Sequence, residues 1–112
     1  MALALQVAVS GATYTGNDLL RECAATQPGG VNAGTSANIA NSAYDAGSCM
    51  GFMKASRALV SGAAICIPPL VTNGQFMDLV IKFMDERPEN RHMPAALVVT
   101  MAARESFPCA EK

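Results

Sequence analysis

The chain has 112 residues, of which 51% are hydrophobic and 15% are charged, and its formal net charge is −1. This length predicts one domain with a modest core, and the lack of a basic patch argues against nucleic-acid binding. Aromatic residues make up only 5% of the chain and tryptophan is absent, whereas methionine occurs seven times. Small and flexible core residues favour closely packed helices over a β-sandwich. The composition therefore predicts an all-α fold.

Residues 1–12 form a segment distinct from the single helical domain that we expect over residues 13–112. Residues 2–9 are an apolar run, and Ser10, Gly11 and Ala12 resemble a signal-peptidase site. A positively charged start is missing, so the pattern fits the end of a secretion signal that is largely absent. The alternative is a short apolar helix or strand packed on the body. In either case the run is too short to span a bilayer, and no membrane insertion is expected.

A short first helix is predicted over residues 17–25. Thr15 followed by Asp18 is typical of a capped helix start. Apolar residues then recur at helical spacing: Leu19, Leu20 and Cys23. Glycine, proline and asparagine fill residues 27–35, which we expect to be a connecting loop or a loop that contacts a partner.

A long second helix is predicted over residues 36–61, where apolar residues recur mostly at intervals of three and four. Small residues occupy every fourth position along one row: Ala43, Gly47, Gly51 and Ala55. Each glycine costs up to about 1 kcal/mol relative to alanine in a helix. We therefore expect a close neighbour to use the space, either another helix of this chain or a second copy.

Two further helices are predicted in the last third of the chain. Thr72 and Gln75 fit a capping box at the start of the third helix, and apolar residues follow at helical intervals until Pro88. The fourth helix begins near Pro94 and ends before Pro108. The whole pattern predicts a small bundle of four to five helices.

The four cysteines predict two disulfides that staple this bundle, since none lies in the close pairs that a zinc site would use. A short turn joins the third and fourth helices, so these should be antiparallel and bring Cys66 close to Cys109. Cys23 then pairs with Cys49 by elimination. The sequence alone permits three connectivities, of which we prefer this one. Disulfides also indicate an oxidising compartment.

Little in the sequence is typical of an enzyme, and none is expected. His92 is the only histidine, and disulfide pairing would remove each thiolate that could act with it. The sequence has no glycine-rich phosphate loop, metal-ligand cluster or hydrolase motif, so neither a cofactor nor a metal is predicted. A small hydrolase that uses His92 is the weaker alternative.

The turn between the third and fourth helices is the most conspicuous polar segment. Its polar residues are Arg87, Glu89, Asn90, Arg91 and His92. One interpretation is a solvated turn, with Arg87 at the negative end of the third helix and His92 at the start of the fourth. The other is a recognition element, in which arginines held between two rigid helices contact a partner.

Several short motifs occur in a characteristic order: Cys49-Met50-Gly51-Phe52, Cys66-Ile67-Pro68, Val71-Thr72 with Gln75, Arg87-Pro88-Glu89-Asn90-Arg91-His92 with Pro94-Ala95-Ala96, and Phe107-Pro108-Cys109. Together they resemble the Rap/Tai group, immunity proteins that neutralise peptidoglycan amidase effectors of bacterial type VI secretion. The resemblance runs from about residue 19 to residue 109. Ser48, where the group commonly has an aromatic residue, departs from the pattern and leaves the effector subfamily open.

The resemblance implies a periplasmic all-α protein, often a homodimer, that plugs the active-site cleft of a cysteine-dependent amidase. In related proteins a loop between helices enters that cleft. The matching turn here assigns partner binding to Arg87, Glu89, Asn90, Arg91 and His92. The alternative is a disulfide-stabilised periplasmic helical module that binds a different partner.

Overall fold

A computed structural model of the protein describes residues 13–27, 36–62 and 64–110. The predicted signal segment and most of the predicted 27–35 loop lie outside these residues. The described part contains four α-helices and no named strand, which confirms the all-α prediction. They are α1 (Gly16–Cys23), α2 (Ser36–Val60), α3 (Asn73–Glu86) and α4 (Ala95–Ser106), with 3-10 turns at Ala24–Thr26 and Pro88–Asn90. None of these helices is long and apolar enough to cross a membrane.

Both predicted capping boxes are present. The Thr72 amide donates to Gln75 Oε1 at 2.8 Å, and the Gln75 amide donates to Thr72 Oγ1 at 3.0 Å. At the start of α1, the Thr15 amide donates to the Asp18 carboxylate at 3.0 Å, and this bond holds the pKa of Asp18 below its ordinary value. Each box satisfies amides that have no partner within the helix. This local chemistry explains why the helix starts were predictable.

All four helices contribute to one hydrophobic core. Its largest fully buried side chains include Leu19 from α1, Met53 from α2, Phe76, Val80 and Met84 from α3, and Val98 and Val99 from α4. On α4 the core side is completed by three alanines, Ala95, Ala102 and Ala103. Such short side chains let neighbouring helices approach closely, as the composition indicated.

The two disulfides have the preferred connectivity. Cys23–Cys49 joins the end of α1 to the middle of α2, with a Cα–Cα distance of 5.0 Å, and both residues are fully buried. Cys66–Cys109 joins the segment before α3 to the segment after α4, with a Cα–Cα distance of 4.9 Å. The Cys66 amide also donates to the Phe107 carbonyl at 2.8 Å. The predicted pairing of the four cysteines is confirmed, but the antiparallel hairpin used to predict it is not observed, because Arg87 at the end of α3 bonds Glu105 at the end of α4.

A polar cluster lies between α1 and α2 beside the buried disulfide. Glu22 is only 9% exposed, and its carboxylate accepts hydrogen bonds from the Tyr14 hydroxyl and from Ser48 Oγ, the latter at 2.8 Å. The Tyr14 ring also packs against Phe52 at a centroid distance of 5.2 Å. Burial, together with the nearby Glu22 carboxylate, raises the pKa of Tyr14 well above its ordinary value. The phenol therefore stays protonated in the folded protein at pH values where a free phenol ionises.

This shift predicts that the contribution of Tyr14 to stability falls above about pH 10, the ordinary pKa of the phenol. In that range the unfolded chain loses the proton while the folded protein keeps it, so ionisation favours unfolding. We expect the Tm difference between the wild type and Tyr14→Phe to shrink as pH rises from neutral to strongly alkaline values. Tyr44→Phe is the matched control, since Tyr44 is 75% exposed, and its Tm should follow the wild type. A Tyr14→Phe difference that does not change with pH would contradict the expectation.

Candidate partner-binding site

The turn between α3 and α4 is anchored on the start of α1. The Gly16 amide donates to the Met93 carbonyl at 2.9 Å, and the Asn17 amide donates to the Arg91 carbonyl at 2.8 Å. A Cβ atom on Gly16 would lie 2.9 Å from the Arg91 oxygen, so a side chain at position 16 would push the two backbones apart. The Ala95 amide closes the contact by donating to the Tyr14 carbonyl at 2.8 Å. The backbone of residues 91–95 is therefore held against the chain around the start of α1.

Arg87 is engaged within the protein. Its guanidinium donates two hydrogen bonds to the Glu105 carboxylate, at 2.5 and 2.8 Å, and lies 4.6 Å from the centre of the Phe83 ring. The pair raises the pKa of Arg87 and lowers the pKa of Glu105. These two bonds join the end of α3 to the end of α4. A partner carboxylate that accepts both hydrogen bonds from Arg87 must therefore displace Glu105.

Arg91 stabilises the end of α3. Its Nε donates to the Met84 carbonyl at 2.8 Å, and Nη2 donates to the Asp85 carbonyl at 3.3 Å. The carbonyls in the last turn of a helix lack partners within the helix, and a cation there also offsets the helix dipole. The sequence suggested Arg87 for this helix-terminal role, but Arg91 bonds the carbonyls because the 3-10 turn directs its side chain back along α3.

We expect Arg91→Ala to lower the free energy of unfolding by about 1–2 kcal/mol, because the Met84 and Asp85 carbonyls lose a charged donor. The measurement is urea unfolding followed by circular dichroism. Arg104→Ala provides the control, since Arg104 is exposed near the end of α4 and forms no side-chain hydrogen bond within the described residues. Equal stabilities of the two variants would show that the Arg91 bonds contribute nothing.

Of the remaining residues of the turn, one makes structural contacts through its backbone and two are exposed. Asn90 is half-buried, and its backbone bonds Arg87 and Met93. Glu89 and His92 are exposed, and neither side chain bonds another residue of the described chain. Of the five predicted contact residues, these two are therefore the exposed ones whose side chains form no hydrogen bond within the described residues. Partner binding by the set stays a prediction.

The comparison with protein families identifies the class. The sequence model of the Rap1a immunity proteins matches residues 15–109, from the cap of α1 to Cys109 of the second disulfide. The chain belongs to the Rap1a immunity protein family. No curated protein matches the chain. Membership supports an immunity role for this chain.

In this Rap1a protein a cleft of about 280 Å³ lies between α1 and α3, near the turn. Its walls include Leu20, Ala24 and Ile81, and Asp85 lies at its edge. The Asp85 carboxylate is also 4.0 Å from the Arg91 guanidinium, which connects the cleft to the turn. The sequence did not predict this cleft beside the turn, because α1 and α3 are far apart along the chain. Glu105 was also missed, although an acid at the end of α4 opposite Arg87 was a usable signal.

Proposed function

We propose that this Rap1a protein inhibits a peptidoglycan amidase effector of a type VI secretion system by occluding its active-site cleft. The observation that carries the proposal is the anchored turn, which holds Glu89 and His92 outward while Arg87 and Arg91 brace it. Inhibition by occlusion needs a rigid element that fits the cleft and no catalytic group. A turn fixed before binding loses little conformational entropy on insertion, which favours tight association.

The proposed compartment is the periplasm. All four cysteines are paired, and there is no free thiol. Paired cysteines fit an oxidising compartment, and the peptidoglycan that the effector cuts lies in the same place. Self-association as a homodimer is included in the proposal on the strength of the family resemblance.

The test is a purified mixture of this protein with the amidase encoded by the neighbouring gene. We expect a stable complex and a stoichiometric loss of cell-wall hydrolysis. A mixture of the same amidase with an unrelated disulfide-bonded helical protein is the negative control, and neither binding nor inhibition is expected there. If neither binding nor inhibition is observed, the amidase is not the target, and the alternative of a periplasmic helical module with another partner gains support.

A further inference from the structure

A pocket of about 260 Å³ lies between the middle of α2 and the start of α3. Its lining residues are Met50, Met53, Lys54, Asn73, Gly74 and Met77, and we call it the α2–α3 pocket. Three of these six residues are methionines, and no acid of the described chain lines the pocket. Its volume is slightly below the range of about 300–1,000 Å³ that is usual for drug-sized ligands. The space therefore suits a small molecule.

The inner side of the pocket is fixed, whereas its mouth can adapt. Met53 is 1% exposed and belongs to the hydrophobic core. Met77 packs on the buried disulfide, because its Sδ atom lies 3.6 Å from Cys49 Sγ. Met50 is 54% exposed and lies at the mouth. Methionine side chains are flexible and fill irregular gaps, so three of them can close around apolar chains of different shape.

The pocket carries positive charge that the described chain does not neutralise. Lys54 is exposed and forms neither a hydrogen bond nor an ion pair within the described residues. Arg57 lies beside the pocket, because its guanidinium donates to Asn73 Oδ1 at 3.1 Å and to the Pro68 carbonyl at 3.4 Å. Both acceptors are neutral groups, so these bonds leave the charge of Arg57 in place. A ligand in this pocket therefore meets one fixed cation and one free cation.

We propose that the α2–α3 pocket binds a small monocarboxylate with an apolar chain. The chain lies among Met50, Met53 and Met77, and the carboxylate lies at the mouth, within reach of the Lys54 ammonium. Transfer of the apolar chain from water into the pocket supplies the free energy of binding. The pair of Lys54 with the carboxylate sets the preferred charge, since Lys54 has no acid partner within the described residues. This inference does not depend on the immunity role.

The charge of the pocket distinguishes a carboxylate from other head groups. A cationic head group would be repelled by both Lys54 and Arg57. A dianion such as phosphate needs more donors than Lys54 offers, because two guanidinium nitrogens of Arg57 already bond neutral oxygens of the chain. An uncharged head group leaves Lys54 unpaired. A single negative charge is therefore the best match.

The pocket and the turn at residues 87–92 lie at opposite ends of α3. Asn73 and Gly74 are the first residues of this helix, whereas the turn follows its last residue, Glu86. A helix of 14 residues is about 20 Å long. A ligand in the α2–α3 pocket should therefore leave amidase inhibition unchanged. Competition between the ligand and the amidase would contradict this separation.

Octanoate is the probe, and the methionine methyl groups report its binding by NMR. The methyl signals of Met50 and Met77 should shift on titration, whereas that of Met101 on α4 should not. A ligand of this size should bind with a Kd on the order of 1 mM. Octylammonium has the same chain and the opposite charge, and its Kd should be at least about fivefold higher. Unmoved Met50 and Met77 signals, or equal binding of the two probes, would overturn the proposal.

Lys54→Glu tests the charge of the site, and Gly74→Leu tests its position. Lys54→Glu should reverse the preference, so that octylammonium binds more tightly than octanoate. Lys82→Glu is the matched control, because it makes the same change of net charge at an exposed position of α3 and should keep the wild-type preference. A Cβ atom on Gly74 would lie 3.8 Å from Thr72 Oγ1, an ordinary contact, so Gly74→Leu should fold, and its side chain should exclude both probes. A Lys54→Glu protein that still prefers octanoate would reject the assignment.

Discussion

Replacing both Cys23 and Cys49 by alanine should destabilise the protein by about 4–5 kcal/mol. The bond joins positions 26 residues apart, and the chain-entropy model assigns about 3.5 kcal/mol to a loop of that length. Both cysteines are fully buried, so the two alanines also leave unfilled space in the core. That packing loss adds about 1 kcal/mol. Urea unfolding of the oxidised wild type and of the double variant measures the difference.

The matched control is the double variant Cys66→Ala/Cys109→Ala. Its bond closes a longer loop, with a separation of 43 residues, so chain entropy alone predicts the larger loss, about 4 kcal/mol. Cys66 is exposed and Cys109 is half-buried, so the second variant leaves no comparable gap in the core. We expect the buried pair to cost more. The opposite order would show that loop length decides and that packing around Cys23 and Cys49 contributes little.

The largest functional loss is expected from Glu89→Ala combined with His92→Ala. Both side chains are exposed and form no hydrogen bond within the described residues, so the variant should keep a Tm close to that of the wild type. If the turn enters the amidase cleft, these side chains become buried contacts, and their loss should weaken inhibition by at least about thirtyfold, or about 2 kcal/mol. The inhibition constant against the cognate amidase is the quantity to measure. A variant that inhibits as well as the wild type would place the contact elsewhere, with the predicted 27–35 loop as the next candidate.

Two single variants distinguish direct contact from support at Arg87. If Arg87 acts only through its bonds to Glu105, then Arg87→Ala and Glu105→Ala should reduce inhibition equally, because each breaks the same pair. If Arg87 leaves Glu105 to bind the amidase, Arg87→Ala should reduce inhibition, whereas Glu105→Ala should preserve or improve it. The comparison needs no structure of the complex.

Most of the fold was predictable because its signals are local. Thr15 and Thr72 start helices through side chains three residues away, and prolines mark the ends of α3 and α4. The pairing of Cys66 with Cys109 was predicted correctly, although the antiparallel arrangement on which that prediction was based does not match the contact between Arg87 and Glu105.

The details of the site depend on contacts that no local pattern records. The sequence suggested Arg87 for the negative end of α3, but Arg91 bonds the carbonyls there, because the direction of each side chain depends on the 3-10 turn between the helices. The Tyr14–Glu22–Ser48 cluster joins three parts of the chain that no motif connects. The small-residue row of α2 was visible in the sequence, but its exposure became known only from the packing of the other helices.

Alkylation of the amidase's catalytic cysteine would show directly whether this protein occludes the active-site cleft. All four cysteines of this protein are in disulfides, so a thiol reagent labels only the enzyme in the mixture. We expect labelling to stop when the wild type is added in stoichiometric amount, and to resume with the Glu89→Ala/His92→Ala variant. Unchanged labelling within a stable complex would contradict occlusion of the active-site cleft.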